Sequence, residues 1–538
     1  MARQGKASMQ FISPAIKIAV AAFAVLLTTA AVTLADVLDV REAEGMALAA
    51  GASATTTHAV LNANGAPPPA PADCSTSLQS LINNAAAGST LTLGNCTYRE
   101  SVTVNKPLTL DGQGVASLRG SDVWSGFLPS GDNWVSSQSV PTLNTETRDI
   151  CQSGSDERCK LPEQVYIDGS PLYQLATGSD PNPGQFALNG QRQVVLGSDP
   201  TGKSVEVTTR TRWLTAGASG VSVKGFDMRH CANLAQSGAL TNAGFDNFTL
   251  SDSTLQYAHG TNVFFNDGAD MLIENSRLLH AGQMGLGSYR SQIAIVGGEI
   301  AHNNTEDYDT AWEAGGFKLT NSPEGVAFPA LRVEGVNVHD NYGPGVWLDI
   351  NANDALIKNT RVHDNAGAGI FFEISNGAEI FNNVVYNNAA TRDYGWLGEA
   401  QIFISSSSNA NVHDNVVAWG GDGITVVSEA RGEWSNVTGV HVHHNTILRN
   451  DAYYHRAGLA WGQLHAGVMF DPVSNNRGYE NRYYYPWPED GRSRFEWNGF
   501  HTTLASFNAT LGEENGTYMT TAEKDAVLAQ HNLPDPTR

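Results

Sequence analysis

Two carboxylates, Asp349 and Glu373, stand at positions where their type and spacing could do chemistry. They lie near the ends of two similar segments, GVWLDI from Gly345 and GIFFEI from Gly369, which are offset by 24 residues. Retaining glycosidases hold a nucleophile and a proton donor about 5 to 5.5 Å apart, whereas inverting ones need about 6.5 to 9.5 Å. A carboxyl pair at the shorter separation could therefore cleave a glycosidic bond with retention.

The two segments predict strands on consecutive turns of one repeat. Side chains alternate between the two faces of a strand, so if the aliphatic residues face a core, Asp349 and Glu373 face outward. Trp347 and Phe371 share that outward face. Neighbouring parallel strands lie about 4.8 Å apart, so we expect the two carboxyls about 5 Å apart, which favours retention.

The neighbours of each carboxyl predict different roles. Two like charges at this distance repel, so one carboxyl should keep its proton to higher pH. Glu373 has an aromatic neighbour and only Ser405 on the next turn, which predicts the general acid/base. Asp349 follows Thr320 and lies diagonally from Lys318, which predicts the ionised nucleophile.

Two long insertions flank the pair and predict the walls of a cleft. They are HNNTEDYDTAWEAGG (302–316) and NNAATRDYGWLGEA (387–400), and each contains an Asp-Tyr pair followed by a tryptophan. Aromatic rings stack well on the apolar faces of sugars. The substrate-binding residues predicted in and around the cleft are Trp347, Phe371, Lys318, Tyr308, Trp312, Glu313, Tyr394, Trp396 and Glu399.

The elements that position these residues belong to an internal repeat. Short apolar strands punctuated by Gly, Asn and Asp recur from Val221 to Phe470, and NVHDN (337–341) aligns with RVHDN (361–365) at the same 24-residue offset. Further units begin at GFKLTN, QIFISS, GITVVS and GVMFDP. Coils of about 22 to 25 residues without a helical period predict an all-β fold, a right-handed single-stranded parallel β-helix.

The alignment also groups polar residues into columns. Five asparagines (Asn303, Asn341, Asn365, Asn388 and Asn450) share one position and predict a stacked amide ladder. His339, His363 and Tyr386 share another, and we interpret them as stacked wall residues. Thr320, Asp349, Glu373, Ser405, Val427 and Asp471 form the column of the carboxyl pair.

Domain boundaries follow from composition. We predict a signal peptide or anchor over 1–35, an Ala/Thr/Pro-rich linker over 36–73, the β-helix over 74–480 and an aromatic tail and cap over 481–538. Hairpin-like punctuation predicts a small inserted β module at about 160–215. The leader predicts a secreted, extracellular protein with no stable membrane span unless that segment is retained.

Cysteines and charge restrict the partners. Five cysteines predict disulfides Cys74–Cys96 and Cys151–Cys159, each closing a short loop, with Cys231 buried and free. No CxxC motif or histidine cluster has metal-ligand spacing, so we expect no structural zinc. A net charge of −22 argues against nucleic acid and disfavours polyuronates unless a cation bridges them. We expect a carbohydrate substrate, and the sequence does not define the oligomeric state.

PGVWLDI and AGIFFEIS, one coil apart, resemble the catalytic strands of the β-helical β-xylosidases of glycoside hydrolase family 120, and the wider coil pattern resembles the pectin-lyase-like superfamily. The resemblance implies that Asp349 is the nucleophile and Glu373 the acid/base. We expect no cofactor unless the carboxyl pair holds calcium. That family carries an Asn-His-Gly-Pro turn after the Glu strand, where this sequence has Ser375 to Ala378. The resemblance therefore extends to the catalytic pair and not to the sugar-binding histidine.

Three other interpretations remain open at this point. A polysaccharide lyase or uronate epimerase could use the same fold, with Asp349 and Glu373 holding calcium as the only cofactor and Lys318 nearby as a base. A non-catalytic carbohydrate-binding solenoid could use the aromatic loops as a groove. Finally, the two carboxylates could belong to a solvated acidic surface.

Overall fold

Short strands stack in parallel along the chain, as the repeat predicts, and build a right-handed parallel β-helix. The computed structural model describes residues 74–390, 396–450 and 456–536. The predicted leader (1–35) and linker (36–73) lie outside the described residues. Most coils contribute three strands, such as Leu331–Glu334, Asn337–His339 and Val346–Asp349.

One face of the solenoid is a sheet of thirteen strands within the described residues, and it carries the predicted pair. All its pairings are parallel except the last. Its strands are Val102–Val104, Leu214–Ala216, Gly238–Ala243, Thr261–Asn266, Met284–Tyr289, Gly315–Thr320, Val346–Asp349, Ile370–Glu373, Ala400–Ser405, Asp422–Ser428, Leu459–Gln463, Phe495–Trp497 and Phe500–His501.

The remaining walls form a second, larger sheet of twenty-three strands in the described part of the chain. Its strands are Thr90–Thr92, Thr97–Tyr98, Leu108–Arg119, Val221–Cys231, Thr249–Ser251, Thr254–Ala258, Met271–Glu274, Arg277–Leu279, Ile293–Val296, Glu299–Ala301, Leu331–Glu334, Asn337–His339, Ala355–Lys358, Arg361–His363, Asn376–Phe381, Val384–Tyr386, Ser408–His413, Val416–Ala418, His441–His443, Thr446–Leu448, Arg477–Tyr479, Arg482–Tyr484 and Thr517–Tyr518.

Buried apolar side chains at paired strand positions form rows that fill the space between the walls. Val346 pairs with Ile370, which pairs with Ile402, and all three are fully buried. Leu348 and Phe372 belong to a second buried row, two positions further along each strand. Burying one such side chain contributes about 1.5 to 3 kcal/mol. These inward rows fix the register and therefore fix which residues face outward.

After strand Leu108–Arg119 the chain leaves the coils to form a β module with its own apolar core, and it returns at Leu214–Ala216. The module begins at Ser121 and ends at Thr208, so it extends further toward the N-terminus than the predicted 160–215. Its strands are Ser121–Trp124, Phe127–Ser130, Asn133–Ser139, Val165–Ile167, Ser170–Pro171, Tyr173–Gln174, Gln185–Leu188, Gln193–Leu196 and Val205–Thr208.

The predicted disulfides are both present. Cys74 bonds Cys96 beside the first coil, and Cys151 bonds Cys159 in the module loop that reaches toward residues 304–309. Cys231 is free and buried.

Polar ladders run along the coils. The predicted amide row joins Asn303, Asn341, Asn365 and Asn388 through side-chain hydrogen bonds of 2.8 Å. Gln401, not Asn450, takes the next place, and its Oε1 accepts from the Asn388 amide at 2.9 Å. A second amide row, not predicted, comprises Asn383, Asn415, Asn445, Asn481 and the closing Glu513.

The predicted ring column is also present. His339 stacks on His363 and His363 on Tyr386, with centroids 4.9 and 4.8 Å apart.

Helical segments are few and short. The α-helices of the described residues are Leu78–Asn84, Leu504–Phe507 and Thr521–His531, and the 3-10 turns are Arg158–Lys160, Gly432–Ser435 and Pro472–Ser474. The last α-helix begins with a capping box between Thr520 and Glu523. No helix among the described residues has the length and apolar character needed to cross a membrane.

The C-terminal end of the repeat differs from the prediction. In the thirteen-stranded sheet, strand Asp422–Ser428 is followed by Leu459–Gln463, so Gly462 stacks after Val427. The segment GVMFDP is therefore not a coil strand. Asp471 instead caps a 3-10 turn by accepting from the Val473 amide at 3.0 Å. The coils also extend beyond 480, because Thr517–Tyr518 pairs with Arg482–Tyr484.

Candidate active site

Strand register brings the two predicted carboxyls together. Asp349 pairs with Thr320 on the preceding coil, and Glu373 pairs with Ser405 on the following one. Leu348 pairs with Phe372, which places Asp349 and Glu373 at one position on adjacent coils. Adjacent coils are about 4.8 Å apart, so the two backbone positions are separated by one strand spacing.

The pair faces away from the core but is not a solvated surface. Asp349 is 5% exposed, Glu373 8% and Lys318 5%. The chain before Gly315 and the segment around Arg431 contact these side chains directly. Charged groups are rarely buried unless they are paired, so this burial disfavours the interpretation of an acidic surface ladder.

Lys318 is the cationic partner of Asp349. Its Nζ lies 2.8 Å from Asp349 Oδ2 and 3.1 Å from the Trp312 carbonyl oxygen. The ammonium also lies over the Trp347 ring, 3.7 Å from the centroid. The indole face and the carboxylate thus hold Lys318 in place through a cation–π contact and an ion pair.

The second oxygen of Asp349 is the distinctive atom of the site. Oδ1 is buried and has no hydrogen-bond partner within the part of the chain that the structure describes. An unpaired buried carboxylate oxygen costs free energy, and such atoms are rare in folded proteins. Asp349 therefore has one oxygen anchored to Lys318 and one oxygen without a hydrogen-bond partner among the described residues.

Glu373 lies in a different environment. Trp347 Nε1 donates to its Oε2 at 3.3 Å, and the Arg431 guanidinium contacts its Oε1. Burial, followed by repulsion from Asp349, raises the pKa of Glu373 to about 7, although Arg431 and Lys318 act in the opposite direction. A carboxyl that keeps its proton near neutral pH can act as a general acid.

An aromatic row continues beside the carboxyls. Trp347 stacks on Phe371 with centroids 5.4 Å apart, and Phe371 stacks on Phe403 at 4.9 Å. Phe371 is half-buried, whereas Trp347 is 4% exposed. Of the two predicted aromatic binding residues on these strands, Phe371 has the ring more accessible to a ligand.

Glu313 and Trp312 connect the site to the inserted module. Glu313 Oε2 accepts from the Gln236 amide at 2.8 Å, and Gln236 Oε1 accepts from Arg148 of the module at 2.8 Å. Burial raises the pKa of Glu313, with a further contribution from Asp349 and an opposing one from Lys318. The Arg148 guanidinium carbon lies over Trp312, 5.3 Å from the centroid of the Trp312 ring.

The other predicted wall residues lie elsewhere. Tyr308 is fully buried and contacts His259 Nδ1 through its hydroxyl at 3.3 Å, so its ring offers no face to a sugar. Trp396 donates to Glu496 and packs edge-on against Phe500. Glu496 is four coil steps from Phe371, about 19 Å along the axis, which separates Trp396 from the carboxyl pair.

Two predicted residues belong to the loop before Ala400–Ser405. Tyr394 lies outside the described residues. Glu399 is half-buried, and its backbone carbonyl accepts from the Asp422 amide at 3.0 Å as the chain enters the strand.

Arg431 contacts Glu373 and was not identified from the sequence. It follows strand Asp422–Ser428, two coils beyond Glu373, in a segment without periodicity. Gln236 and Arg148 were missed for the same reason, because loops from distant coils converge here.

Comparison with known proteins supports the fold. A family model described as a right handed beta helix region matches residues 237–400. The structure of XylC in complex with xylose aligns over 79% of this chain and 83% of its own, with 11% identity and a TM-score of 0.52. Comparison with curated proteins finds no match.

Two further solved structures align more loosely. One is described as a glycoside hydrolase, with 9% identity, 79% of this chain and 92% of that chain covered, and a TM-score of 0.38. The other is PfbA, a surface adhesin of Streptococcus pneumoniae, with 12% identity, coverage of 78% and 82%, and a TM-score of 0.38. At these identities the likeness concerns the fold.

Proposed function

We propose that the protein is a secreted, retaining glycoside hydrolase that acts on a polysaccharide or oligosaccharide, with Asp349 as nucleophile and Glu373 as acid/base. The observation that carries the proposal is the asymmetry of the pair. Asp349 is anchored through Oδ2 to Lys318 and leaves Oδ1 free, whereas the pKa of Glu373 is raised to about 7. This chemistry requires two carboxyls in different environments, one that acts as the proton donor and one that acts as the nucleophile.

In the first step, Glu373 donates its proton to the glycosidic oxygen while Asp349 Oδ1 attacks the anomeric carbon. The glycosidic bond breaks, and a covalent glycosyl ester forms on Asp349. In the second step, Glu373, now ionised, removes a proton from water, and the water oxygen attacks the anomeric carbon. Asp349 leaves as a carboxylate, and the anomeric configuration is retained.

Lys318 and Trp347 position the reacting groups in this mechanism. Lys318 pairs with Asp349 and fixes its orientation, so the carboxylate need not reorganise before attack. The Trp347 indole N–H orients Glu373. The alignment with XylC, which was solved with xylose, is consistent with a β-xylosidase-like activity.

The test uses a panel of aryl glycosides and of neutral and acidic polysaccharides. Wild type should release reducing ends without ultraviolet-absorbing products, and NMR should show retained anomeric configuration. Asp349→Ala and Glu373→Ala should both lose turnover. Azide should rescue both, giving a glycosyl azide of inverted configuration with Asp349→Ala and of retained configuration with Glu373→Ala.

The matched control is Glu379→Gln. Glu379 lies on the next strand after Glu373, Asn376–Phe381, and contacts Asn411 and His413 outside the site. This variant should retain wild-type turnover. Inverted products from wild type, or full activity in Glu373→Ala, would contradict the assignment.

The lyase or epimerase alternative gives a different signal. It requires a base free to remove a proton and, in our interpretation, calcium on the carboxyl pair. Lys318 and Arg431 already contact Asp349 and Glu373, so a calcium ion would have to compete with two resident cations. Calcium-dependent ultraviolet absorbance from an acidic polymer would favour a lyase, and binding without any turnover would favour a carbohydrate-binding solenoid.

A further inference from the structure

We propose that His302, His339 and Asp340 form a binding site for a divalent transition metal, separate from the carboxyl pair. The three residues each offer one ligand atom, and these atoms all lie within 4.8 Å of one another. Two imidazole nitrogens and one carboxylate oxygen are a ligand set that suits Zn²⁺ and its borderline neighbours.

Strand pairing holds the ligands in position. Ala301 pairs with His339, so His302 and Asp340 follow at one position on adjacent coils. Both residues have left-handed backbone conformations, with φ of +58° and +52°. The His302 amide donates to the His339 carbonyl at 3.3 Å. The backbone of two coils therefore supplies the site, and its geometry does not depend on a flexible loop.

Carboxylates on both sides fix the His339 ring. Its Nδ1 lies 2.7 Å from Asp340 Oδ2, and its Nε2 lies 3.1 Å from Glu299 Oε1. Glu299 can accept a hydrogen bond from Nε2–H, which leaves Nδ1 as the ring nitrogen that would bind the metal together with Asp340. The metal would replace the direct contact between Nδ1 and Asp340. Histidine ligands commonly donate their other N–H to a carboxylate in this way.

His302 completes the site from the preceding coil. Its ring stacks on His280 with centroids 4.9 Å apart and meets the His339 ring at 85°. Within the described part of the chain, its ring nitrogens make no hydrogen bond, so one is available as a ligand. A spacing search along the sequence misses this cluster because His302 and His339 belong to different coils.

The space in front of the ligands is open. His302 and Asp340 line a groove of about 470 Å³ together with Tyr342, Asp364 and Asn387. A metal held by three protein ligands would keep a further coordination position facing this groove, for water or a ligand. The 4.8 Å spread must contract on binding, and the exposed Asp340 side chain has the freedom to move.

A matched control exists elsewhere on the solenoid. His413 and Asp414 form the same local contact, with Nδ1 and Oδ2 2.7 Å apart, and His413 Nε2 also faces a carboxylate, that of Glu379. Because Phe381 pairs with His413, Asn382 occupies the place that His302 has in the proposed site. The two turns therefore differ mainly in the third ligand.

The test measures metal binding to tag-free, EDTA-treated, full-length protein. Isothermal titration with Zn²⁺ should show one site per chain, and Co²⁺ should give the visible absorption of a tetrahedral or five-coordinate complex. His302→Ala and Asp340→Asn should each weaken affinity by at least about tenfold, and Glu299→Gln by about 10- to 100-fold. His413→Ala and Asp349→Asn should bind as wild type does.

Circular dichroism shows whether each variant is folded, and Asp340→Asn, at an exposed position, tests the site if His302→Ala does not fold. No binding by wild type would overturn the proposal. So would unchanged affinity in Asp340→Asn and Glu299→Gln, or an equal loss of affinity in His413→Ala.

Discussion

Replacing Glu373 by glutamine should stabilise the folded protein at alkaline pH and leave its stability unchanged at low pH. Burial and the neighbouring Asp349 raise the pKa of Glu373 from 4.5 to about 7. A raised pKa means that the folded state binds the proton more tightly than the unfolded state. The protonated side chain is therefore compatible with the fold, and its ionised form is the destabilising one.

The sign and the size follow from linkage. Wild type keeps its full stability below about pH 4.5 and loses part of it as pH rises through about 7, where folded Glu373 ionises. The difference between these two pKa values corresponds to about 3 kcal/mol above pH 8. Because glutamine does not titrate, Glu373→Gln should avoid this loss. The buried environment justifies using most of that figure, since Glu373 is 8% exposed.

The assay is denaturant unfolding of wild type and Glu373→Gln at several pH values between 4 and 9. The free energies of unfolding should coincide near pH 4 and diverge with rising pH, with the variant more stable by about 3 kcal/mol at pH 8.5. Glu324→Gln, at an exposed glutamate, controls for the loss of one negative charge. A variant less stable than wild type at pH 8.5 would show that ionised Glu373 is stabilised by Arg431, and our assignment of the proton donor would fail.

Three further predictions concern the site and its support. The rate of glycoside cleavage should fall as pH rises through about 7, because catalysis needs protonated Glu373. Arg431→Met should move this limb of the pH–rate profile to higher pH, because the Arg431 guanidinium lowers the pKa of Glu373. Lys318→Met should lower the free energy of unfolding by about 3 to 5 kcal/mol in chemical denaturation by leaving Asp349 buried without its cation, and adding Asp349→Leu should recover most of this loss; equal destabilisation in both would contradict the pairing. Asn365→Ala should lower the free energy of unfolding by about 2 to 4 kcal/mol without moving the pH–rate profile, since two buried amide contacts are lost from the ladder.

The repeat made the fold and the carboxyl pair predictable from sequence. Alternation over a few residues decides which side chain faces the core, and a one-residue shift would reverse both faces. Val346 and Leu348 fixed that register for Asp349, and the 24-residue offset transferred it to Glu373. The amide row was predictable up to Asn388 for the same reason.

The loops were less predictable because they have no period. The two insertions share a sequence pattern, an Asp-Tyr pair followed by a tryptophan, but their aromatic residues lie in different places. Tyr308 is buried against His259, whereas Trp396 donates a hydrogen bond to Glu496 near the far end of the sheet. Arg431 reaches Glu373 from two coils away, a contact that depends on a loop conformation. Only register is encoded locally; the path of an insertion depends on the surfaces that it meets.

The solenoid can hold the buried carboxyl pair because the free-energy cost of burying it is small and local. Ionised Glu373 destabilises the fold by an amount comparable to one buried side chain, while Lys318 offsets the charge of Asp349. In a solenoid each coil interacts only with its neighbours, so this cost is confined to the coils of Asp349 and Glu373 and is offset by the apolar rows beneath them. The same rows that set the register thus supply the stability that a buried carboxyl with a raised pKa requires.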